Sequence, residues 1–233
     1  MSCGFDLVLF DLDGTLVDTA PEIADAVNDT LRELGLPAQP LAQVQVWIGH
    51  GTGVLLLRAL AAGWDLSPEA VRADPRLPAV AARFQHHYAA RCGSRSQVYP
   101  GARELLQALR ADGVRLAVLT NKEARYTHAL LAAHGLRPLL DLVVSGDTLP
   151  VRKPDPAVAR HCLDWFSVSP NRALLVGDSA IDAATARNAG IACWLLPHGY
   201  NGGVPVADAR PDAVVADFAA LHARLLPEVA LRA

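Results

Sequence analysis

The sequence predicts an α/β fold: a Rossmann-like parallel sheet with helices on both faces, and a small α-helical cap domain inserted after the first strand. Three observations support this. Residues 7–10 form a short, wholly apolar run that ends in an acid, typical of a strand buried on both faces. After Pro100, short apolar runs alternate with segments of helical periodicity. Between them, residues 39–93 are rich in Ala and Leu at helical spacing, without strand-like alternation.

The first helix is predicted over residues 18–34. Pro21 lies in its first turn, where the missing N–H is tolerated, and Gly35 stands where the helix would stop. The alternating pattern resumes at Pro100-Gly101. It predicts helices over residues 102–111, 124–134, 156–165 and 181–189, and strands over 114–119, 141–144, 173–176, 191–196 and 213–215.

This pattern divides the chain into two domains. The α/β core domain comprises residues 1–18 and 94–233, and the helical cap comprises residues 19–93. A chain of 233 residues is long enough for a core domain with a smaller insert.

Composition narrows the class of protein. Hydrophobic residues make up 52% of the chain and the formal net charge is −3, so there is no basic surplus for binding nucleic acid. The four cysteines form no C-x-x-C pair, and we expect reduced thiols. The start has no basic segment and no long apolar run, from which we expect a cytoplasmic protein with no membrane partner. We expect a monomer or a homodimer.

Two acids, Asp11 and Asp13, stand at the end of the first predicted strand. In open α/β sheets, ligands bind at the carboxyl ends of strands. Because Leu12 separates the two acids, both carboxylates leave the same side of an extended backbone. They repel each other unless a divalent cation neutralises one or one is protonated, and either solution suggests chemistry. The structural alternative is a simple Asp-Gly turn at Gly14.

Two further motifs lie beside later strands. Thr120-Asn121-Lys122 offers a hydroxyl and backbone N–H groups to phosphate oxygens, although a threonine at such a position, taken alone, more often caps the next helix. Lys153 precedes a proline that holds it extended, just before a helix that Asp155 can cap. That arrangement puts an ammonium group on a stiff loop. The alternative for Lys153 is a solvated surface lysine.

The last motif is Gly177-Asp178, with Asp182 one helical turn later. Ser179 and Asp182 have the spacing of a capping box, which explains Asp182 structurally. Nothing structural requires Asp178. An acid at a buried strand end needs a cation, and a metal shared with Asp11 would supply one. Because all these motifs lie at one edge of the predicted sheet, we expect them to form one pocket.

In this order, the motifs resemble the four signature motifs of the haloacid dehalogenase superfamily. The resemblance covers nearly the whole chain, including the helical insert that this family calls a cap. Thr120-Asn121-Lys122 and the segment His198–Gly203 also resemble the phosphoglycolate phosphatase branch. The resemblance implies phosphoryl transfer, with Asp11 as a nucleophile that forms an aspartyl phosphate and Asp13 as the acid that protonates the leaving oxygen.

The resemblance also implies a magnesium ion. Its protein ligands would be an Asp11 oxygen, the Asp13 backbone carbonyl and Asp178. Asp182 would act from behind these ligands by orienting a bound water or a lysine. The phosphoryl oxygens would be bound by two further residues, Thr120 and Lys153.

Substrate choice is expected to depend on the cap. The glycine-rich turn at residues 48–53 precedes a helix and can present backbone N–H groups to the non-phosphate end of a substrate. Arg58, further along that helix, is a candidate for pairing with a carboxylate. His50 and Asn121 are further candidate substrate contacts. The alternative is a flexible loop and a solvated arginine.

The function predicted from these features is a magnesium-dependent phosphatase acting on a small phosphorylated metabolite, with 2-phosphoglycolate as the favoured substrate. Asp13 argues against a dehalogenase, because a halide leaves without a proton. A sugar phosphomutase, or a phosphatase of sugar phosphates or pyrophosphate, stays open as an alternative. So does a non-catalytic protein that binds a phosphorylated ligand.

Overall fold

A six-stranded, wholly parallel sheet forms the centre of the molecule. The computed structural model describes residues 3–227. The strands of the sheet are β1 (Leu7–Phe10), β4 (Arg115–Leu119), β5 (Leu142–Val144), β6 (Ala173–Gly177), β7 (Ala192–Leu195) and β8 (Ala213–Val214). They lie in the order β5-β4-β1-β6-β7-β8, so β1 is central. Two short strands, β2 (Val17–Asp18) and β3 (Gln97–Val98), pair antiparallel outside this sheet.

Ten α-helices surround the strands within the described residues. Five of them lie between β2 and β3: α1 (Ala20–Glu33), α2 (Leu41–Trp47), α3 (Thr52–Trp64), α4 (Pro68–Arg72) and α5 (Leu77–Arg91). The other five alternate with the strands of the sheet or follow the last one: α6 (Ala102–Ala111), α7 (Ala124–Ala133), α8 (Pro156–Phe166), α9 (Ala180–Ala189) and α10 (Phe218–Leu225). None of these helices has the length and apolar character that crossing a bilayer requires.

The sheet is buried on both faces, as the apolar run of β1 predicts. Val8 and Phe10 pack in one hydrophobic cluster with side chains of α6 and α10. Leu7 and Leu9 point the other way, into a cluster with α8 and α9. All four side chains are fully buried, which stabilises the fold by about 1.5–3 kcal/mol for each one. The strand ends are therefore rigid platforms for the residues that follow them.

The five helices from α1 to α5 pack around their own hydrophobic cluster, against the carboxyl edge of the sheet. Two tyrosines from beyond β3, Tyr126 and Tyr200, join that cluster. The chain returns to the sheet at residues 93–96, where the buried Glu22 accepts hydrogen bonds from the N–H groups of Gly93 and Ser96. This carboxylate fixes the return segment against α1.

The predicted fold class is confirmed, and the predicted strands and helices of the core are found within a few residues of their expected ends. The first helix begins at Ala20 rather than at residue 18, because Val17 and Asp18 pair with β3 instead. Helix α10 was not predicted. It begins after Asp217, whose side chain accepts a hydrogen bond from Ala220 N at 2.8 Å. The division into domains at residues 18/19 and 93/94 stays a prediction.

Candidate active site

The register of the sheet brings the strand-end motifs together. Phe10 pairs with Val118 on one side and with Val176 on the other. Asp11, Thr120 and Asp178, which follow these strands, therefore emerge at the same edge. All three are buried.

Three acids at this edge form a tight cluster. One carboxylate oxygen each from Asp11, Asp178 and Asp182 lie within 4.8 Å of one another, and all three residues are buried. Carboxylates this close together repel one another when they are ionised. The cluster therefore calls for positive charge.

Lys153 supplies part of that charge. Its Nζ lies 2.9 Å from Asp11 Oδ1 and 2.7 Å from Asp182 Oδ1, and its side chain is only 2% exposed. It is therefore not a solvated surface lysine. Burial raises the pKa of Asp11 to about 6, although the charge of Lys153 opposes the rise.

Asp182 serves both roles that the sequence offered for it. Its Oδ2 accepts hydrogen bonds from the backbone N–H and the hydroxyl of Ser179, and Ser179 caps α9 in return, so the capping box is present. Its other oxygen binds Lys153. With both oxygens occupied, Asp182 orients the lysine from behind.

Asp178 has no cationic partner among residues 3–227. Its oxygens accept hydrogen bonds from Thr15 Oγ1 at 2.6 Å and from Tyr200 N at 2.5 Å. Burial, with the charges of Asp182 and Asp11, raises the pKa of this carboxyl well above its ordinary value. The backbone packs closely against this carboxylate, since a Cβ on Gly199 would lie 2.2 Å from Asp178 Oδ2.

The charges of this edge fit a divalent cation. Four carboxylates, those of Asp11, Asp13, Asp178 and Asp182, face two ammonium groups, those of Lys122 and Lys153. Counted with all four carboxylates ionised, the excess is two negative charges. Buried carboxylate oxygens are the donors that Mg²⁺ prefers, and Asp178 in particular is a buried charge that needs a cation.

Asp13 lies apart from this cluster, in surroundings of its own. Its Oδ1 accepts hydrogen bonds from Thr19 Oγ1 at 2.7 Å and from Lys122 Nζ at 2.9 Å. Because the Thr19 hydroxyl is engaged with Asp13, it does not cap α1. The hydroxyl of Tyr200 does so instead, by accepting from the N–H groups of Thr19 and Ala20.

Sequence reasoning assigned no role to Lys122 or Tyr88. The Lys122 side chain is 2% exposed, and its ammonium group binds Asp13 and the hydroxyl of Tyr88, which projects from α5. Burial alone would lower the pKa of Lys122, but Asp13 and Tyr88 outweigh it and raise the value well above normal. One sequence signal could have found this residue: Lys122 and Lys153 are the only lysines in the chain, beside 19 arginines.

A small cavity of about 30 Å³ separates these groups from the helices of residues 19–93. Its walls come from both sides. The sheet edge contributes Asp11, Asp13, Thr120, Asn121 and Lys122, and the helical side contributes Ile23, Ile48, Gly49, Gly51, Thr52, Leu55 and Tyr88. The cavity has room for a group of only a few atoms.

Asn121 and Thr120 both lie at this cavity. Asn121 Nδ2 donates to the carbonyls of Gly49 at 3.0 Å and Lys153 at 3.1 Å, so it ties the glycine-rich turn to the lysine loop. Thr120 does not cap the next helix, because α7 begins after Glu123. Its hydroxyl instead accepts a hydrogen bond from Lys122 N at 3.2 Å.

The structure does not bring His50 and Arg58 into this cavity. Both line a different and larger one, of about 770 Å³, together with Tyr200 and Asn201. There burial and the nearby Arg58 lower the pKa of His50. The glycine-rich turn between α2 and α3 thus reaches both cavities. Gly51 lines the small one, and His50 lines the larger one and also a third, of about 530 Å³, that Asn121 and Lys153 share.

A parallel sheet that gathers acids and lysines at its carboxyl edge, beneath a layer of helices, defines a class of phosphoryl-handling hydrolases. The profile of the haloacid dehalogenase-like hydrolases matches residues 8–196. The chain therefore belongs to this family.

Individual relatives narrow the comparison. The chain is 42% identical over 213 residues to a phosphoglycolate phosphatase of Thiobacillus denitrificans, which covers 91% of this chain and 92% of that one. It is 43% identical over 208 residues to a phosphoglycolate phosphatase of Nitrosospira multiformis, over 89% of this chain and 90% of the relative. A crystal structure of a predicted phosphoglycolate phosphatase from Haemophilus somnus superposes with a TM-score of 0.88 at 34% identity, covering 94% and 96% of the two chains.

Proposed function

We propose that this protein is a magnesium-dependent phosphatase that hydrolyses 2-phosphoglycolate to glycolate and phosphate through an aspartyl-phosphate intermediate. One observation carries the proposal. Asp11 and Asp13, two residues apart, have separate partners: Asp11 pairs with Lys153, and Asp13 with Thr19 and Lys122. Two carboxylates in different surroundings can serve as nucleophile and as acid in one reaction.

In the first step, an oxygen of Asp11 attacks phosphorus in line with the ester oxygen. The phosphorus–oxygen ester bond breaks, and the leaving alkoxide takes its proton from Asp13. Lys153 offsets the repulsion between Asp11 and the incoming phosphate dianion, since its ammonium group lies 2.9 Å from Asp11 Oδ1. The Thr120 hydroxyl binds a phosphoryl oxygen.

In the second step, water attacks the phosphorus of the aspartyl phosphate. Asp13, now ionised, accepts a proton from that water, and the bond between phosphorus and Asp11 breaks. Thr19 Oγ1, 2.7 Å from Asp13 Oδ1, holds the carboxylate in place for both steps. Phosphate then leaves and Asp11 is regenerated.

Mg²⁺ would be held by an Asp11 oxygen, the backbone carbonyl of Asp13 and Asp178. When bound, it would neutralise the excess negative charge and polarise the phosphoryl group. Asp182 supports the site without binding the ion, since one of its oxygens caps α9 and the other holds Lys153. The strongest support is Asp178, which is 1% exposed and has no protein cation among the described residues.

The small cavity supports a small substrate. About 30 Å³ beside Asp13 suits an alcohol portion of a few atoms better than a sugar ring. Relatives about 40% identical to this chain bear the name phosphoglycolate phosphatase, which supports the same substrate. We further propose that residues 19–93 act as a cap domain, whose closure excludes water while the aspartyl phosphate forms.

A substrate panel tests this function. Release of free phosphate would be measured for 2-phosphoglycolate, pyrophosphate, hexose phosphates and ethyl phosphate, each with and without Mg²⁺. We expect 2-phosphoglycolate to have the highest kcat/KM, and activity to require the metal. Interconversion of hexose phosphates without free phosphate would identify a mutase, and binding of esters without turnover of any would identify a binding protein. Either result rejects the proposal.

A further inference from the structure

We propose that Lys122 is the residue that recognises the substrate: its ammonium group binds a carboxylate on the alcohol side of the phosphate ester. The enzyme would then prefer phosphate esters of short hydroxy acids to uncharged esters of the same size. This inference rests on the proposed function and assigns its substrate class to one side chain. It concerns the part of the substrate that leaves, whereas Lys153 serves the phosphoryl group.

The use of lysine in this chain is the first support. Lysine occurs at two positions only, against 19 arginines, and both lysines are buried at the active edge. Every cation elsewhere in the chain is an arginine. Lys122 lines the cavity of about 30 Å³, and its ammonium group is a compact point charge, unlike the broad planar guanidinium of arginine. Lysine therefore replaces arginine at the position where the site needs a small point charge.

The hydrogen bonds of Lys122 are the second support. An ammonium group has three N–H donors. Within residues 3–227 its partners are the Asp13 carboxylate and the Tyr88 hydroxyl, two groups for three donors. Lys122 also lines the cavity, so the remaining donor has an acceptor available once a substrate enters.

The position of Lys122 relative to Asp13 matches the substrate class. Asp13 protonates the ester oxygen in the proposed reaction, and Lys122 Nζ lies 2.9 Å from Asp13 Oδ1. A carboxylate one carbon from the ester oxygen, as in phosphoglycolate, would therefore come within reach of this ammonium group. Esters with a carboxylate further away, or with none, would not gain this contact.

The opposite wall of the cavity favours an anion as well. Helix α3 begins at Thr52, and both Thr52 and Gly51 line the cavity. Gly51 has no side chain to cap the helix, so the positive end of α3 adds to the field of Lys122. Asp11 and Asp13 line the same cavity and would repel a substrate carboxylate, which leaves Lys122 as the side-chain cation there to offset them.

Arg58 is the rival candidate, since it was the residue expected from the sequence to pair with a carboxylate. It lines the larger cavity, away from Asp11 and Asp13. An ester whose phosphorus lies at Asp11 and whose alcohol portion has only two carbons would keep that portion beside Asp13 and Lys122, which line the smaller cavity, and not beside Arg58. Arg58 and Lys122 thus predict different results for the same substrate.

Ethyl phosphate is the matched probe, because it replaces the carboxylate of phosphoglycolate with a methyl group. In the wild type, we expect kcat/KM for phosphoglycolate to exceed that for ethyl phosphate by at least about 10–100-fold, the worth of a hydrogen bond to a charged group. In Lys122→Met this preference should be lost, mainly through KM for phosphoglycolate. Tyr88→Phe keeps the charge and removes one partner, so it should keep the preference.

Three kinetic results would overturn the inference. They are a wild type that turns over both esters equally well, a Lys122→Met variant that keeps the preference, and a loss that follows Arg58→Met or Tyr88→Phe instead. A wild type that hydrolyses no ester would reject the proposed function and not this inference, which the next experiment still tests.

Binding can be followed without turnover, because the chain has only two lysines. Asp11→Asn protein grown with lysine labelled at ¹⁵Nζ gives one ammonium signal for each lysine. The Lys122 signal is the one that Lys122→Met removes or, where that variant does not fold, the one that remains in Lys153→Met. With Mg²⁺ present, saturating phosphoglycolate should move the Lys122 signal and ethyl phosphate should not. A Lys122 signal that does not respond to phosphoglycolate, or that responds equally to both esters, overturns the inference even where Lys122→Met fails to fold.

Discussion

The two lysines of this molecule sit in contrasting surroundings. Lys153 lies between two buried acids, Asp11 and Asp182, on a loop of the core. Lys122 has one acid, Asp13, and one neutral partner, Tyr88, which comes from the helical side. This contrast supports the proposed roles, in which Lys153 serves the phosphoryl group at the sheet edge and Lys122 contacts the leaving group beside the helices.

The largest effect is expected on the Lys153 side, from Asp11→Asn. Loss of the proposed nucleophile should lower kcat by about 10⁴-fold or more, because a carboxamide cannot replace the carboxylate that forms the covalent intermediate. The carboxamide has nearly the shape of the carboxylate, so the fold should persist. Phosphate release from phosphoglycolate, with circular dichroism as the control for folding, measures this. A folded variant that is still active would remove Asp11 as nucleophile.

Lys153→Met should come next. Removing the ammonium group that faces Asp11 should lower kcat by about 10²–10³-fold. It also leaves two buried acids without their partner, which should lower the free energy of unfolding by about 3–5 kcal/mol. Urea denaturation of Lys153→Met and Lys122→Met would be compared. Lys122→Met removes the cationic partner of one acid only, Asp13, whose side chain is 14% exposed, so its loss of stability should be smaller. Equal losses of stability in the two variants would contradict the contrast drawn here.

Gly199→Ala tests the acid that neither lysine reaches. The new Cβ would lie 2.2 Å from Asp178 Oδ2, so the carboxylate must shift. We expect the Mg²⁺ concentration for half-maximal activity to rise by about 10–100-fold. Gly4→Ala is the matched control, because a Cβ there meets nothing within 4 Å. If Gly199→Ala needs the same Mg²⁺ concentration as the wild type, Asp178 is not a ligand of the metal.

The smallest effect is on stability, from Asp178→Asn in metal-free protein. The pKa of Asp178 is raised well above its ordinary value by burial and by Asp182 and Asp11. At pH values between the ordinary pKa of an aspartate in the unfolded state and the raised pKa in the folded state, the folded state binds more protons than the unfolded state. The stability of the wild type therefore falls as pH rises through this range. At pH 7 the asparagine variant should be more stable than the wild type by roughly 1–3 kcal/mol, and this gap should shrink toward pH 4.

Urea titrations at pH 4, 5.5 and 7 in the presence of a chelator check this expectation. Addition of Mg²⁺ should reverse the order at pH 7, because only the wild type has the carboxylate to bind it. A variant less stable than the metal-free wild type at pH 7 would mean that Asp178 is not a buried, uncompensated charge.

The fold and the core of the site could be predicted because short stretches of sequence carry the patterns that specify them. The wholly apolar β1 followed by Asp11, and the stiff turn around Lys153, each carry their own pattern. The spacing predicted a capping box for Asp182 and the family resemblance implied that it orients a lysine or a water; the structure contains the capping box and the contact with Lys153. The alternative of a helix cap at Thr120 is excluded, because α7 begins after Glu123.

What local patterns missed are contacts between distant segments. Lys122 meets Tyr88 across 34 residues, and the N–H of Tyr200 reaches Asp178 across 22. No short window contains either pair. Helix packing decides which cap residues face the acids, which is why Arg58 was proposed for a cavity that it does not line.

Detection of phosphate on Asp11 during turnover is the most direct test of the central claim. Wild-type protein would be mixed with phosphoglycolate and Mg²⁺ and quenched in acid within milliseconds. The peptide that contains Asp11 and Asp13 would then be sequenced by mass spectrometry after reduction of any acyl phosphate with borohydride. We predict reduction of the carboxyl group at Asp11 alone, and only when substrate was present. Full turnover with an unmodified Asp11, or modification at Asp13 instead, would contradict the account.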